Sequence, residues 1–336
     1  MNRKQNSCSE INQGQKCRGE FIVECDTTVE GFEAVDEEAK NGYTQWSIQG
    51  DKFFPVGKSV EQLKSGYYSV GVDGHGNPFL HKMKVNLNEL FILPNSIHNT
   101  VFEEIRTFWD SKSKYQEYGE VYRCNILIHS EPGTGKSSLI NLLVDELVKK
   151  QNGFVISLNH ESDIYNYQTI MRAIREIEPD RQIITIIEDI DNFIGKMDRS
   201  LETALLNILD GLLQFDNVVT IATTNNPEDI TERYTNRPTR FGLVIEYPLP
   251  DAETRKFFIE KKVRPEDLKT IDIDEWVRNT ECYTTDHLNN VIKLVFVMGL
   301  SPERAFERMN AMVNRRGPVK NQSKGKNNGS IGFSSK

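Results

Sequence analysis

Residues Ser130-Glu131-Pro132-Gly133-Thr134-Gly135-Lys136-Ser137 do more than any other stretch to limit what this chain can fold into. An apolar run, Asn125-Ile126-Leu127-Ile128, precedes them. The segment from Ser138 to Lys149 follows, with Leu139, Ile140, Leu142, Leu143, Val144, Leu147 and Val148 at helical spacing. Strand, glycine-rich turn and helix make one unit of an α/β fold with a parallel sheet. Gly133 and Gly135 leave backbone N–H groups able to wrap a phosphate, and a helix N-terminus adds partial positive charge. A lysine at position 136 reaches β- and γ-phosphates, and the Ser137 hydroxyl suits Mg²⁺. The expected phosphate-contacting set is Glu131, Pro132, Gly133, Thr134, Gly135, Lys136, Ser137 and Ser138. Ser130 stands where the pattern G-x-x-x-x-G-K-[ST] has its first glycine.

The β-branched run Gln182-Ile183-Ile184-Thr185-Ile186-Ile187 reads as a strand buried on both faces. It ends in Glu188-Asp189-Ile190-Asp191. Carboxylates at the end of such a strand lie beside the phosphate loop in a parallel sheet. Glu188 is expected to hold Mg²⁺, and Asp189 to orient or deprotonate an attacking water. The usual order is Asp then Glu, so the base here is one methylene shorter. A third strand, Asn217 to Thr224, ends in Asn225, whose amide is expected to reach the γ-phosphate or the water. Arg237-Pro238-Thr239-Arg240-Phe241 then places two arginines three residues apart, suited to charge delivery at a phosphate.

In this order the segments resemble the AAA module of the AAA+ ATPases. Tyr122 to His129 resembles the lead-in strand of that family. Glu188-Asp189-Ile190-Asp191 is similar to the variant found in the subfamily of the mitochondrial chaperone that assembles the cytochrome bc complex, and in its bacterial and phage relatives. Leu205 to Leu212 is similar to the family's L-L-N-x-L-D-G helix. Thr223-Thr224-Asn225 resembles its sensor position. Arg237 to Phe241 resembles its arginine box, with Thr239 in place of glycine. The resemblance covers roughly residues 92–312. It implies a P-loop NTPase large domain with a parallel sheet, a small helical lid, ATP and Mg²⁺ as cofactors, and hydrolysis in a homo-oligomeric ring of six or seven subunits acting on a protein. It also implies that Arg237 and Arg240 act in trans on the neighbour's ATP. In translocating rings a pore loop lies in the region of Asp163 to Tyr167, so Tyr165 or Tyr167 is a candidate for gripping substrate; core packing or plain surface is the competing reading.

The 336 residues allow two or three domains. Five regions are expected: a flexible lead-in at 1–40, a small β-rich N-terminal domain at 41–91, the large α/β domain at 92–250, the helical lid at 251–313 and a disordered basic tail at 314–336. Asp251 and Ser301 are the expected N-caps in the lid. A net charge of -8 argues against a general nucleic-acid binder, although the basic tail leaves nucleic-acid contact as a lesser alternative. There is no run of eighteen or more apolar residues to span a membrane, and the polar N-terminus has no signal-like core. A cytoplasmic setting is therefore expected, with Cys8, Cys17, Cys25, Cys124 and Cys282 reduced. Two rival functions are a nucleotide-dependent scaffold with little turnover and a DNA-associated accessory ATPase.

Overall fold

The computed structural model describes residues 45–85, 90–194, 198–210, 215–230, 234 and 239–314. The lead-in at 1–40 and nearly all of the tail lie outside them, as do Arg237 and Cys8, Cys17 and Cys25. The chain divides into two units, residues 1–60 and 61–336. In the first, β1 (Gln45–Gln49) and β2 (Lys52–Val56) form an antiparallel hairpin that pairs Ile48 with Phe53. Gly50 takes its turn at φ 59°, a conformation that glycine adopts without cost.

The second unit holds a seven-stranded sheet. Its strands are β3 (Gly66–Val72), β4 (Pro78–Met83), β5 (Arg123–His129), β6 (Phe154–Ser157), β7 (Ile183–Ile187), β8 (Val218–Thr224) and β9 (Leu243–Glu246). They lie in the order β4-β3-β6-β7-β8-β5-β9. Only the β3–β4 pair is antiparallel. β6, β7 and β8 are buried along their whole length, which is why they read as unbroken apolar or β-branched runs. Helices cover both faces. On one side α1 (His98–Asp110) and α3 (Lys136–Gln151) pack Ile105, Phe108, Ile140, Leu143 and Leu147 against Ile126 and Ile184. On the other, α4 (Glu161–Ile177) and α6 (Arg199–Asp210) pack Ile164, Met171, Leu205 and Leu209 against Leu127, Ile156 and Ile187. Two short helices, α2 (Lys112–Tyr118) and α5 (Ile190–Ile194), fill out the layers.

The placement of β3 and β4 corrects the expected boundary of a β-rich domain at 41–91. β3 is an apolar run buried on both faces over most of its length, so it needs cover on each side. It finds that cover by pairing in parallel with β6, Gly66 opposite Phe154, and Tyr68 stacks on Phe154 with centroids 4.7 Å apart. The sheet is therefore mixed rather than wholly parallel.

Residues 252–313 are helical: α7 (Ala252–Lys262), α8 (Pro265–Leu268), α9 (Ile273–Asn279), α10 (Thr285–Ile292), a π-helical turn (Lys293–Val297) and α11 (Pro302–Val313). Trp276, Tyr283, Leu288 and Phe306 form a core of their own. Asp251 caps α7 by accepting from Thr254 N–H at 2.8 Å. Ser301 makes no side-chain cap; Pro302 begins α11 instead, where its missing N–H costs nothing.

Candidate active site

Register brings the strand ends together. His129 lies opposite Thr224, and Ile187 opposite Ala222. The residues that follow β5, β7 and β8 therefore emerge side by side at the carboxyl edge of the sheet. After β5 the chain wraps into the loop Ser130–Gly135, with Gly133 at φ 80° and Gly135 at φ 102° as the residue preceding α3. Both glycines are required by the backbone. A Cβ on Gly133 would also meet the Asp286 carboxylate at 2.9 Å.

Lys136 is buried beneath this loop, 6% exposed. Its Nζ donates to Asn225 Oδ1 at 2.6 Å and to Ser130 Oγ at 2.8 Å. Burial pushes the Lys136 ammonium below its ordinary value, and the nearby Asp189 and Asp191 work against that. Ser130, the departure from the glycine pattern, is thus a working member of the loop; its hydroxyl also lies 2.5 Å from Thr134 Oγ1.

The acidic pair divides its contacts. Ser137 Oγ donates to Glu188 Oε2 at 2.6 Å. Asn225 Nδ2 donates to Asp189 Oδ1 at 2.9 Å, and Asp189 N–H donates to Thr223 Oγ1 at 3.0 Å. Asp189 takes φ 48°, the left-handed region that Asp tolerates better than most residues, and this turns it back towards β8. Lys136, Asn225 and Asp189 are consequently one hydrogen-bonded chain across three strand ends. Ser137 and Glu188 supply two hard oxygens in contact, a donor set that fits Mg²⁺. Asn226 Nδ2 reaches Asp191 Oδ2 at 3.1 Å, a contact that position 226 gave no reason to expect.

Helix α10 closes over the loop. Thr285 Oγ1 and Asp286 N–H both donate to Gly133 O, at 2.8 and 3.0 Å. A cavity of about 280 Å³ opens between loop and helix, walled by Phe91, Leu93, Leu139, Leu142, Tyr247 and Phe258, with Ser138 and Asp286 at its polar side. It has the apolar breadth to take a nucleotide base. Burial raises the Tyr247 phenol to about 12, so it stays protonated. Sequence reasoning missed this wall and α10's docking, because contacts across more than a hundred residues leave no local pattern.

Arg240 Nε and Nη2 fork onto Asp210 of the same chain at 2.6 and 2.7 Å, and the side chain is 6% exposed. Tyr167 is not in a loop. It sits in α4, buried, with its hydroxyl 2.6 Å from Thr185 Oγ1. Tyr165, two residues earlier in that helix and so on its opposite face, is exposed.

The stretch that holds this site is similar to known proteins. Residues 126–249 match the model of the ATPase family associated with various cellular activities (AAA). The chain carries an AAA domain. Its relatives include the probable mitochondrial chaperone BCS1-A of Dictyostelium discoideum, 30% identical over 52% of this chain and 42% of that protein. The protein SAV of Sulfolobus acidocaldarius is 27% identical over 52% of this chain and 24% of its own length. The proteasome-activating nucleotidase of Methanococcus maripaludis is 26% identical over 58% of this chain and 50% of its own length. The chain thus spans half or less of each of these relatives. The AAA match begins within β5 and ends after β9, so it contains every strand end that builds the site.

Proposed function

We propose that this AAA protein is a Mg²⁺-dependent ATPase whose subunits form a homo-oligomeric ring, of six or seven copies, that remodels, unfolds or translocates a protein substrate. The observation that carries the reading is the linked set Lys136–Asn225–Asp189 beside Ser137–Glu188, drawn from three strand ends.

In this reading the loop from Glu131 to Ser138, through its backbone N–H groups other than at Pro132, which has none, and the Lys136 ammonium bind the β- and γ-phosphates. Ser137 and Glu188 hold Mg²⁺, which when bound offsets charge on the phosphate oxygens. Asp189 orients the water and accepts its proton, and Asn225 keeps the Asp189 carboxylate and the γ-phosphate in one geometry. The apolar cavity takes the base. Arg237 acts on the neighbouring subunit's ATP. Residues 251–313 are the lid, and α10's hold on Gly133 makes nucleotide binding felt by the whole helical region. The names of relatives, a chaperone and a proteasome-activating nucleotidase, favour protein as substrate. The reading includes a cytoplasmic setting, and among the described residues no helix is long and apolar enough to cross a membrane.

Electron microscopy of the full chain with a non-hydrolysable ATP analogue tests the assembly. Closed rings of six or seven subunits are expected. A monodisperse monomer at micromolar concentration with analogue bound would overturn the ring. Phosphate release should vanish in Lys136→Ala together with nucleotide binding; equal binding by that variant would remove Lys136 from the site.

A further inference from the structure

We propose that the basic segment Arg315 to Lys326 docks on its own chain, in a groove between α9 and α11 with an apolar floor and an acidic rim. The segment lies outside the described residues, which end at Asn314, the residue after α11.

The groove has a volume of about 360 Å³. Trp276 of α9 and Phe306 of α11 make its floor, packed edge to face with ring centroids 5.3 Å apart. Asp272, Glu275, Glu303 and Glu307 surround them, all exposed, and none of the described residues that line the groove is Lys or Arg. Among the described residues none of these carboxylates pairs with a cation. Their neighbours outside the groove do: Asp274 lies 3.1 Å from Lys256, and Asp267 lies 2.9 Å from Arg264. Four like charges around one groove repel one another, and a cationic occupant relieves that repulsion. Trp276 is 3% exposed, and its indole N–H has no hydrogen-bond partner among the described residues. A backbone carbonyl of an entering segment supplies one.

The segment matches the groove in charge and in reach. Arg315, Arg316, Lys320, Lys324 and Lys326 carry its charge, and residues 315–336 contain no acidic residue. Gly317-Pro318 is a helix-stop signal, so the chain can turn back after α11. The way from Val313 back to Pro302 is about 17 Å along the helix, and residues 315–326 span up to about 40 Å when extended. Attachment next to the groove holds the segment there at an effective concentration on the order of millimolar. Nucleic acid, the other polyanion that suits these charges, must bind from solution.

Zero-length carbodiimide cross-linking of the full chain, read by peptide mass spectrometry, tests this, because it joins lysines to carboxylates in contact. Ordinary and isotope-labelled chains are mixed while monomeric, so that links within a copy and between copies differ in mass. Lys320, Lys324 and Lys326 should link to Asp272, Glu275, Glu303 or Glu307 of the same copy, several-fold more than to other carboxylates. The yield should fall several-fold in about 1 M salt, where charges are felt over only about 3 Å. In the variant Glu303→Gln with Glu307→Gln, both exposed positions, links to the remaining Asp272 and Glu275 should fall as well. Links spread over the surface without preference for the groove, links only between copies, or no links would overturn the proposal. Equimolar duplex DNA tests the rival occupant: groove links that persist support the proposal, and groove links replaced by bound DNA overturn it.

Discussion

Glycine at position 130 would be needed only if the backbone turned left-handed there, and among the described residues Ser130 is not one with positive φ. The position is free to carry a side chain, and the serine hydroxyl holds both Lys136 and Thr134. Ser130→Ala should cost about 1 kcal/mol of unfolding free energy, the usual worth of a lost hydrogen-bond partner, measurable by urea denaturation without nucleotide. Thr239 contributes its carbonyl to Arg123 at 3.2 Å, a backbone contact that does not depend on the side chain. Among the described cysteines, burial raises the Cys124 thiol to about 11, while Cys282 is exposed. Cys124 stays a neutral thiol as pH rises from 7 to 9 and becomes thiolate only above its raised pKa. Peptide mass spectrometry after alkylation of the native protein should find Cys282 labelled and Cys124 spared across that range. Equal labelling would place Cys124 outside the core.

At the scale of elements, helix α10 and the phosphate loop form one contact surface. Gly133→Ala should destabilise the fold by about 1–2 kcal/mol from the left-handed φ alone, and it also drives a methyl into Asp286. Asp286→Ala in that background removes the collision and leaves the φ strain, so recovery measured by thermal unfolding should be partial. Full recovery would mean that the loop changes φ freely. The strand–loop–helix unit at 123–151 was legible in the sequence because each part is a local pattern: an apolar run, glycines, then helical spacing. The strand ends at Glu188 and Asn225 were legible for the same reason. The fate of β3 was not, since its partner β6 begins more than eighty residues later and nothing in Gly66 to Val72 distinguishes an inner strand of the large sheet from a strand of a small domain. Nor was the partner of Arg240, since Asp210 lies thirty residues earlier and nothing local links the two.

At the scale of the molecule, the site sits where α/β sheets place ligands, outside the carboxyl ends of the strands. Its roof belongs to the helical region, through α10 and Phe258. Nucleotide that fills the cavity must therefore stabilise the helical region against the sheet, and thermal unfolding should rise with ATP concentration by mass action. The rise should be absent in Lys136→Ala, and an unchanged rise in that variant would mean binding elsewhere. What separates a motor from a nucleotide-dependent scaffold is turnover, and in the function proposed above the group on which turnover depends is Asp189. The deciding measurement is the steady-state rate of phosphate release at saturating ATP and Mg²⁺, taken for the wild type and for Asp189→Asn with nucleotide affinity measured alongside. The expected result is sustained wild-type turnover and a fall of about 10²–10⁴-fold in Asp189→Asn, the range for a lost general base, with affinity retained. Equal rates in the two proteins, or no turnover in either, would contradict it.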